Sequence, residues 1–219
     1  MKAKYKHDWV PSFEAAKAIQ SEWRSRVITT DQLGEVRYVA GLDAGFDKAK
    51  KLTKAAAVVL SFPELQLVEQ VTAQVPTEFP YVPGYLSFRE IPGLLAALTK
   101  LTITPDLILC DGQGYAHPRR FGLACHLGVV LDCPTIGVAK SRFIGEHDPV
   151  PPEKGKWSPL LDRGEMIGAV LRSRTNTKPL YVSIGHRVSL ETAIDYVLRC
   201  TPQYRLPETT RRADRLASE

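Results

Sequence analysis

Three apolar stretches of this chain end in a charged side chain: "YVAGLD" at Asp43, "LILCD" at Asp111 and "IGVAK" at Lys140. In open α/β sheets ligand sites gather beyond the carboxyl ends of strands, where the connections diverge. If these stretches are neighbouring strands, one sheet edge receives two carboxylates and an ammonium. Carboxylates brought that close repel one another unless a cation lies between them, and magnesium typically takes one or two carboxylates plus phosphate oxygens. The pattern therefore points to a Mg²⁺ phosphoryl site, with Glu90 offering a third carboxylate from a helix. A cation held in this way polarises a phosphate, lowers the pKa of attacking water and stabilises the leaving oxygen. Lys140 would neutralise charge that develops in the transition state.

Each of these residues also has an ordinary reading. Asp111-Gly112 is a common turn dipeptide, Asp43-Ala44-Gly45 can simply end a strand, and Glu90 can be a favourable charge in a helix's first turn. His117 in "DGQGYAHPRR" can be a surface loop histidine, and Arg119 and Arg120 can face phosphate or solvent. "GQGYAH" lacks the third glycine of a dinucleotide loop, so a dinucleotide fold is discounted. Glu90 closes the segment "PYVPGYLSFRE" (80–90), in which Pro80 and Pro83 hold Tyr81 and Val82 on a stiffened arch. Such an arch serves either as a turn or as a tool.

The elements that must position these groups follow from periodicity. A helix is expected over 11–29, with Phe13, Ala16, Ile19, Trp23 and Val27 on one face, Pro11 and Ser12 as start signals and Glu14 in the first turn. Strands are expected over 36–46, 55–62 and 65–75, the last two joined as a tight hairpin across Pro63 and Glu64. The segment 86–101 reads as a helix whose first turns are disturbed by Pro92 and Gly93. Continuous apolar runs at 105–112 and 135–140 read as strands covered on both faces, and the helical stretch 121–131 between them makes a βαβ unit. Strands at 166–173 and 180–186 and a helix over 189–201 complete one mixed sheet with helices on its faces.

A hydrophobic fraction of 44% and a charged fraction of 24% belong to an ordinary globular chain of 219 residues, for which one domain is expected. The N-terminus has positive charge but no apolar h-region, and no window reaches the roughly 18–20 apolar residues of a membrane span. A cytoplasmic location, away from membranes, is the resulting expectation. Cys110, Cys125, Cys133 and Cys200 are scattered through apolar runs without a C-x-x-C pair, as suits reduced, buried thiols, and no structural metal is expected. The net charge of +5 is clustered at 48–51, 117–120, 139–142 and 210–215, which favours phosphate-bearing partners without requiring them.

Beyond spacing, "VAGLDAGF", "FPYVPGYLSFRE", "DGQGYAHPRR", "PTIGVAKSR" and "LPETTRRAD" resemble the successive motifs of the endonuclease V family, inosine-directed repair nucleases with a ribonuclease H-like fold. The resemblance runs from Val36 to Asp214 in the family's order. It implies a single domain over 1–219, with 1–35 as an N-terminal helical segment packed on it. It further implies Mg²⁺-dependent hydrolysis, with Mn²⁺ as a substitute, of the second phosphodiester bond 3′ to a deaminated base, chiefly deoxyinosine. The products would carry a 3′-hydroxyl and a 5′-phosphate.

Carried over by motif, Asp43 and Asp111 are the principal metal ligands and Glu90 completes the acidic site. Asp214 stands where the family has histidine or aspartate, and either helps bind a second metal or orients water. His117 and Lys140 fall on further catalytic positions beside the scissile phosphate or water. The extruded base would enter a pocket near Gly84, Leu86, Gly112 and Leu123, while Tyr81 wedges into the duplex and Arg89, Arg119 and Arg120 contact phosphates. The implied partner is DNA carrying deoxyinosine or other deaminated bases, bound by a monomer. Alternatives are an inosine-specific endoribonuclease of the same fold, or a nucleic-acid-binding protein without catalysis. The nuclease half of a longer excision-repair protein is disfavoured by length.

Overall fold

Ala55 to Leu60 is an unbroken apolar run, and every residue of it is wholly buried. That burial needs cover on both faces, which sets the plan of the molecule. The computed structural model describes residues 1–9 and 12–219. Its strands are β1 (Tyr38–Asp47), β2 (Leu52–Ser61), β3 (Leu67–Pro76), β4 (Leu107–Cys110), β5 (Thr135–Ala139), β6 (Trp157–Asp162), β7 (Glu165–Leu171) and β8 (Leu180–His186). Its helices are α1 (Phe13–Trp23), α2 (Leu86–Leu98), α3 (Leu123–Leu131), α4 (Leu190–Arg199) and α5 (Glu208–Ser218).

All eight strands join one sheet in the order β3-β2-β1-β4-β5-β8-β7-β6. The first three are antiparallel, β1, β4 and β5 are parallel, and the remainder return antiparallel. The antiparallel start followed by the β4-α3-β5 unit is the ribonuclease H-like arrangement that the motifs imply. Side chains alternate across the sheet as a period of two requires. Ala40, Leu42, Ile108 and Cys110 pack with α2 and α3, whereas Val39, Leu107 and Leu109 pack with α4 and α5.

Register decides what stands at the sheet edge. In the parallel pair Leu42 is opposite Cys110, so the residues that follow them, Asp43 and Asp111, emerge side by side. Lys140 comes directly after the last residue of β5, the next strand over.

Four elements differ from the expectations. The first helix stops at Trp23, where a 3-10 turn (Arg24–Arg26) leads Val27 into extended backbone. Ser12 caps that helix by accepting from the Ala15 N–H, while Pro11 lies outside the described residues. Helix α2 runs unbroken through Pro92, and Gly93 lets it lie close on β2, since a Cβ there would meet Thr53 Cγ2 at 3.1 Å. Strand β6 and helix α5 were not expected from periodicity. Pro159 hides β6, and it is tolerated because β6 is an edge strand.

The N-terminal segment docks on this body through His7, whose Nε2 lies 2.6 Å from Nε2 of the fully buried His126. His126 in turn meets Ser87 Oγ at 2.9 Å through Nδ1. All four cysteines are free and buried, and burial pushes the Cys133 and Cys200 thiols up to about 12, which leaves them inert. Among the described residues no helix is long and apolar enough to cross a membrane.

Candidate active site

Helix α5 lies directly against β1 because position 41 is glycine: a Cβ there would fall 2.1 Å from the Thr209 carbonyl carbon. That close approach carries Asp214 to the sheet edge. Asp43, Asp111 and Asp214 each offer a carboxylate oxygen within 4.8 Å of the others. The Asp111 N–H donates to Leu42 O at 3.2 Å, fixing the turn out of β4. Lys140 Nζ bridges two of the acids, at 2.6 Å from Asp111 Oδ2 and 3.1 Å from Asp214 Oδ1.

The charges in this cluster are out of balance. Burial, then the neighbouring Asp111 and Asp214, push Asp43 up to about 7. Asp111 is raised by burial despite its bond to Lys140. Glu90 is 8% exposed on α2, outside the trio of converging oxygens, and burial together with Asp43 and Asp111 holds it well above the usual carboxylate range. One ammonium among these acids leaves carboxylates that a further cation would ionise. Converging oxygen donors of this kind suit a small, hard divalent ion such as Mg²⁺.

Beside the acids opens a cavity of about 360 Å³, within the range of small-ligand pockets. Gly84, Leu86, Gly112 and Leu123 all line it, as do Asp111 and Lys140. Tyr81 borders the same space while 69% exposed, the most exposed large hydrophobic side chain among the described residues. Nothing in the fold's interior accounts for an aromatic ring left in solvent between two prolines.

The remaining residues singled out by sequence are placed differently from what a free phosphate contact requires. Both ring nitrogens of His117 are engaged by backbone, Nε2 with Gly84 O at 3.1 Å and Nδ1 with the Arg119 N–H at 3.2 Å. It is 4% exposed, and burial, then the charge of Arg119, depress it to about 4, so it is a neutral strut. Arg120 is tied to Asp162 at 2.7 Å, Glu165 at 2.8 Å and His117 O at 3.0 Å. Arg119 bonds Gln20 and Gly84 O and stacks over the Tyr85 ring. Arg89 donates to Phe79 O at 3.1 Å and lies over Phe46. Loops without regular structure need donors for their carbonyls, and these side chains supply them.

Sequence reasoning missed several lining residues. Gln20 sits on an amphipathic helix where polar residues normally face water, yet it is 1% exposed. Gln113, whose Nε2 donates to Ser141 O at 3.0 Å, and the exposed pair Arg142 and Phe143 also border the cavity. The charge cluster at 139–142 reached Arg142, and Gln113 stood inside the quoted segment 111–120 without being singled out.

A model of the endonuclease V family matches residues 21–215. An endonuclease V of Rippkaea orientalis is 63% identical over 218 residues, covering 100% of this chain and 95% of the relative. The crystal structure of the endonuclease V from Streptomyces avermitilis superposes with a TM-score of 0.92 at 45% identity, covering 100% of this chain and 96% of that one. Ciona intestinalis endonuclease V, solved in complex with a 24mer DNA containing an inosine followed by a ribo-adenosine, gives 0.83 at 33% identity, covering 94% and 95%.

Proposed function

Because the chain belongs to the endonuclease V family, we propose that it is a repair nuclease that recognises deaminated bases in DNA, chiefly deoxyinosine. It hydrolyses the second phosphodiester bond 3′ to the lesion and leaves a 3′-hydroxyl and a 5′-phosphate. The observation that carries this reading is the shared cavity. Asp111 and Lys140 line the same space as Gly84, Leu86, Gly112 and Leu123, so a base seated there keeps its own backbone near the carboxylates. In this reading the protein acts as a monomer.

In this reading Asp43, Asp111 and Asp214 hold the divalent ion and Glu90 completes the acidic wall. When bound, Mg²⁺, or Mn²⁺ in its place, supplies Lewis acidity and a lowered pKa for attacking water. Lys140 sets a fixed positive charge beside the reacting phosphate. A deaminated purine pairs poorly and is easily extruded, and hypoxanthine presents a carbonyl acceptor where adenine has an amino donor. No side chain caps the start of α2, which begins at Leu86; the Phe88 N–H donates to Tyr85 O at 3.1 Å, and the N–H groups of Leu86 and Ser87 suit the hypoxanthine carbonyl.

The test uses labelled single- and double-stranded DNA and RNA, each with one inosine or none, in Mg²⁺ and in EDTA. A single cut 3′ to inosine in DNA, in Mg²⁺ alone, is expected. Cleavage in EDTA, or cutting that ignores inosine, sinks the reading. The ribo-adenosine in the Ciona complex gives the RNA arm its reason, and preferential cutting of RNA would reassign the substrate.

Tyr81 is the wedge in this scheme, entering the duplex beside the extruded base. Tyr81→Ala should weaken binding to inosine-containing DNA about tenfold, since base stacking on an aromatic contributes about 1–3 kcal/mol. Selectivity for inosine should relax, with metal binding unaltered. Unchanged affinity and selectivity in a filter-binding series would remove Tyr81 from the mechanism.

A further inference from the structure

The carbonyl oxygen of Gly84 collects donors from three side chains: Arg119 Nη2 at 2.7 Å, Gln20 Nε2 at 3.0 Å and His117 Nε2 at 3.1 Å. A carbonyl has two lone pairs, so the site is saturated and its direction is fixed. Gln20 is itself held at both ends, because its Oε1 accepts from Arg119 Nε at 2.6 Å. Its amide orientation follows from these partners: a guanidinium only donates and a carbonyl only accepts. The same logic sets His117 as the neutral form with its proton on Nε2, since Nδ1 accepts from the Arg119 N–H.

Gly84 is the joint between the arch that carries Tyr81 and the first turn of α2. Its φ is +84°, and a Cβ there would approach Arg119 Nη2 to 2.9 Å, so the clamp and the glycine require each other. The next peptide N–H, that of Tyr85, donates back to Val82 O at 3.0 Å. Fixing the Gly84 carbonyl therefore fixes the peptide plane that closes the arch and aims the helix start. Gln20 links this joint to α1, an element that supplies no acid, wedge or pocket glycine.

We infer that Gln20 is a positioning residue for the nucleobase pocket, holding the Gly84 carbonyl with Arg119 and His117 so that the arch and the α2 N-terminus stay at the spacing that selects hypoxanthine. The inference rests on the lesion-recognition reading above. A side chain that merely filled space would be replaceable by one of equal length without loss of selectivity.

Gln20→Met keeps the length and removes both polar ends. Gln20→Glu keeps the acceptor for Arg119 and turns a lone pair on the Gly84 carbonyl. Binding is measured in EDTA to a duplex containing inosine and to the same duplex with adenine, with 2-aminopurine beside the inosine to report unstacking. Both variants should lower the inosine-over-adenine affinity ratio about tenfold, the scale of one buried hydrogen-bonding group left unpaired. The 2-aminopurine signal should fall with it, the loss in kcat/KM should fall mainly on KM, and amide exchange across residues 79–86 should quicken. If Gln20→Met does not fold, Gln20→Glu carries the same expectation. A ratio within about twofold of wild type in a folded variant overturns the inference alone. A wild-type protein with no preference for inosine overturns both it and the reading on which it rests.

Discussion

Asp43→Asn should abolish cleavage, by about 10³-fold or more, and at the same time make the metal-free protein harder to unfold. Both effects come from one feature. Asp43 is held at about 7 against a value of 3.8 for the free side chain, by burial first and by Asp111 and Asp214 next. Above pH 3.8 the unfolded chain gives up this proton while the folded protein keeps it. Asp43 therefore lowers stability progressively as pH rises from about 4 to about 7, and by a constant amount above that. At 1.36 kcal/mol per unit, reduced for solvent screening, the cost is on the order of 3 kcal/mol.

Asparagine keeps the shape and removes the titration. In EDTA at pH 8 its Tm should exceed that of wild type by about 5–10 °C, with the gap shrinking as pH falls toward 4. Mg²⁺ should raise the wild-type Tm and leave the variant's nearly unmoved, because the ion relieves a repulsion that asparagine no longer creates. Calorimetry across pH, with and without Mg²⁺, checks this directly. An Asn variant that cleaves, or that is no more stable than wild type in EDTA, would separate Asp43 from the proposed metal site.

The same residue shows how far the sequence could be read. Asp43 and Asp111 were legible because each closes an apolar run, and two such runs that pair in parallel present their next residues together. Lys140 was legible for the same reason. Asp214 was not legible from spacing, because its position depends on α5 lying against the bare backbone of Gly41, and a glycine in a strand does not announce what approaches it. Its helix is also rich in Arg and Thr, with the buried Thr209, Thr210 and Ala213 too small to stand out as an apolar stripe. The motif resemblance supplied Asp214 where periodicity could not. Gln20 eluded the reading for a different reason. Polar side chains are assigned to solvent by default, and an irregular loop that must satisfy its carbonyls internally reverses that default.

The other large effect is expected at Lys140. Burial lowers its pKa, but the bonds and charges of Asp111 and Asp214 outweigh that and leave it raised. A lysine held above its ordinary value by its acidic partners keeps its proton in the metal-free protein, which favours a charge role over a proton-accepting one. Its contribution is then charge: an ammonium 2.6 Å from Asp111, on the wall of the cavity. Lys140→Gln should lower kcat about 10²–10³-fold, the scale of removing one preorganised donor from developing charge. Its effect on metal binding should have the opposite sign. Without the ammonium, Asp111 and Asp214 lose their countercharge, and the trio attracts a divalent ion more strongly, so the Mg²⁺ concentration for half-maximal thermal shift should fall about tenfold. A metal-ligand support would weaken both properties together, and a general base would move the acidic limb of the pH profile. Slower chemistry with tighter metal binding and an unmoved profile is the signature of a fixed transition-state charge, and Lys140→Arg should recover part of the rate because it restores that charge.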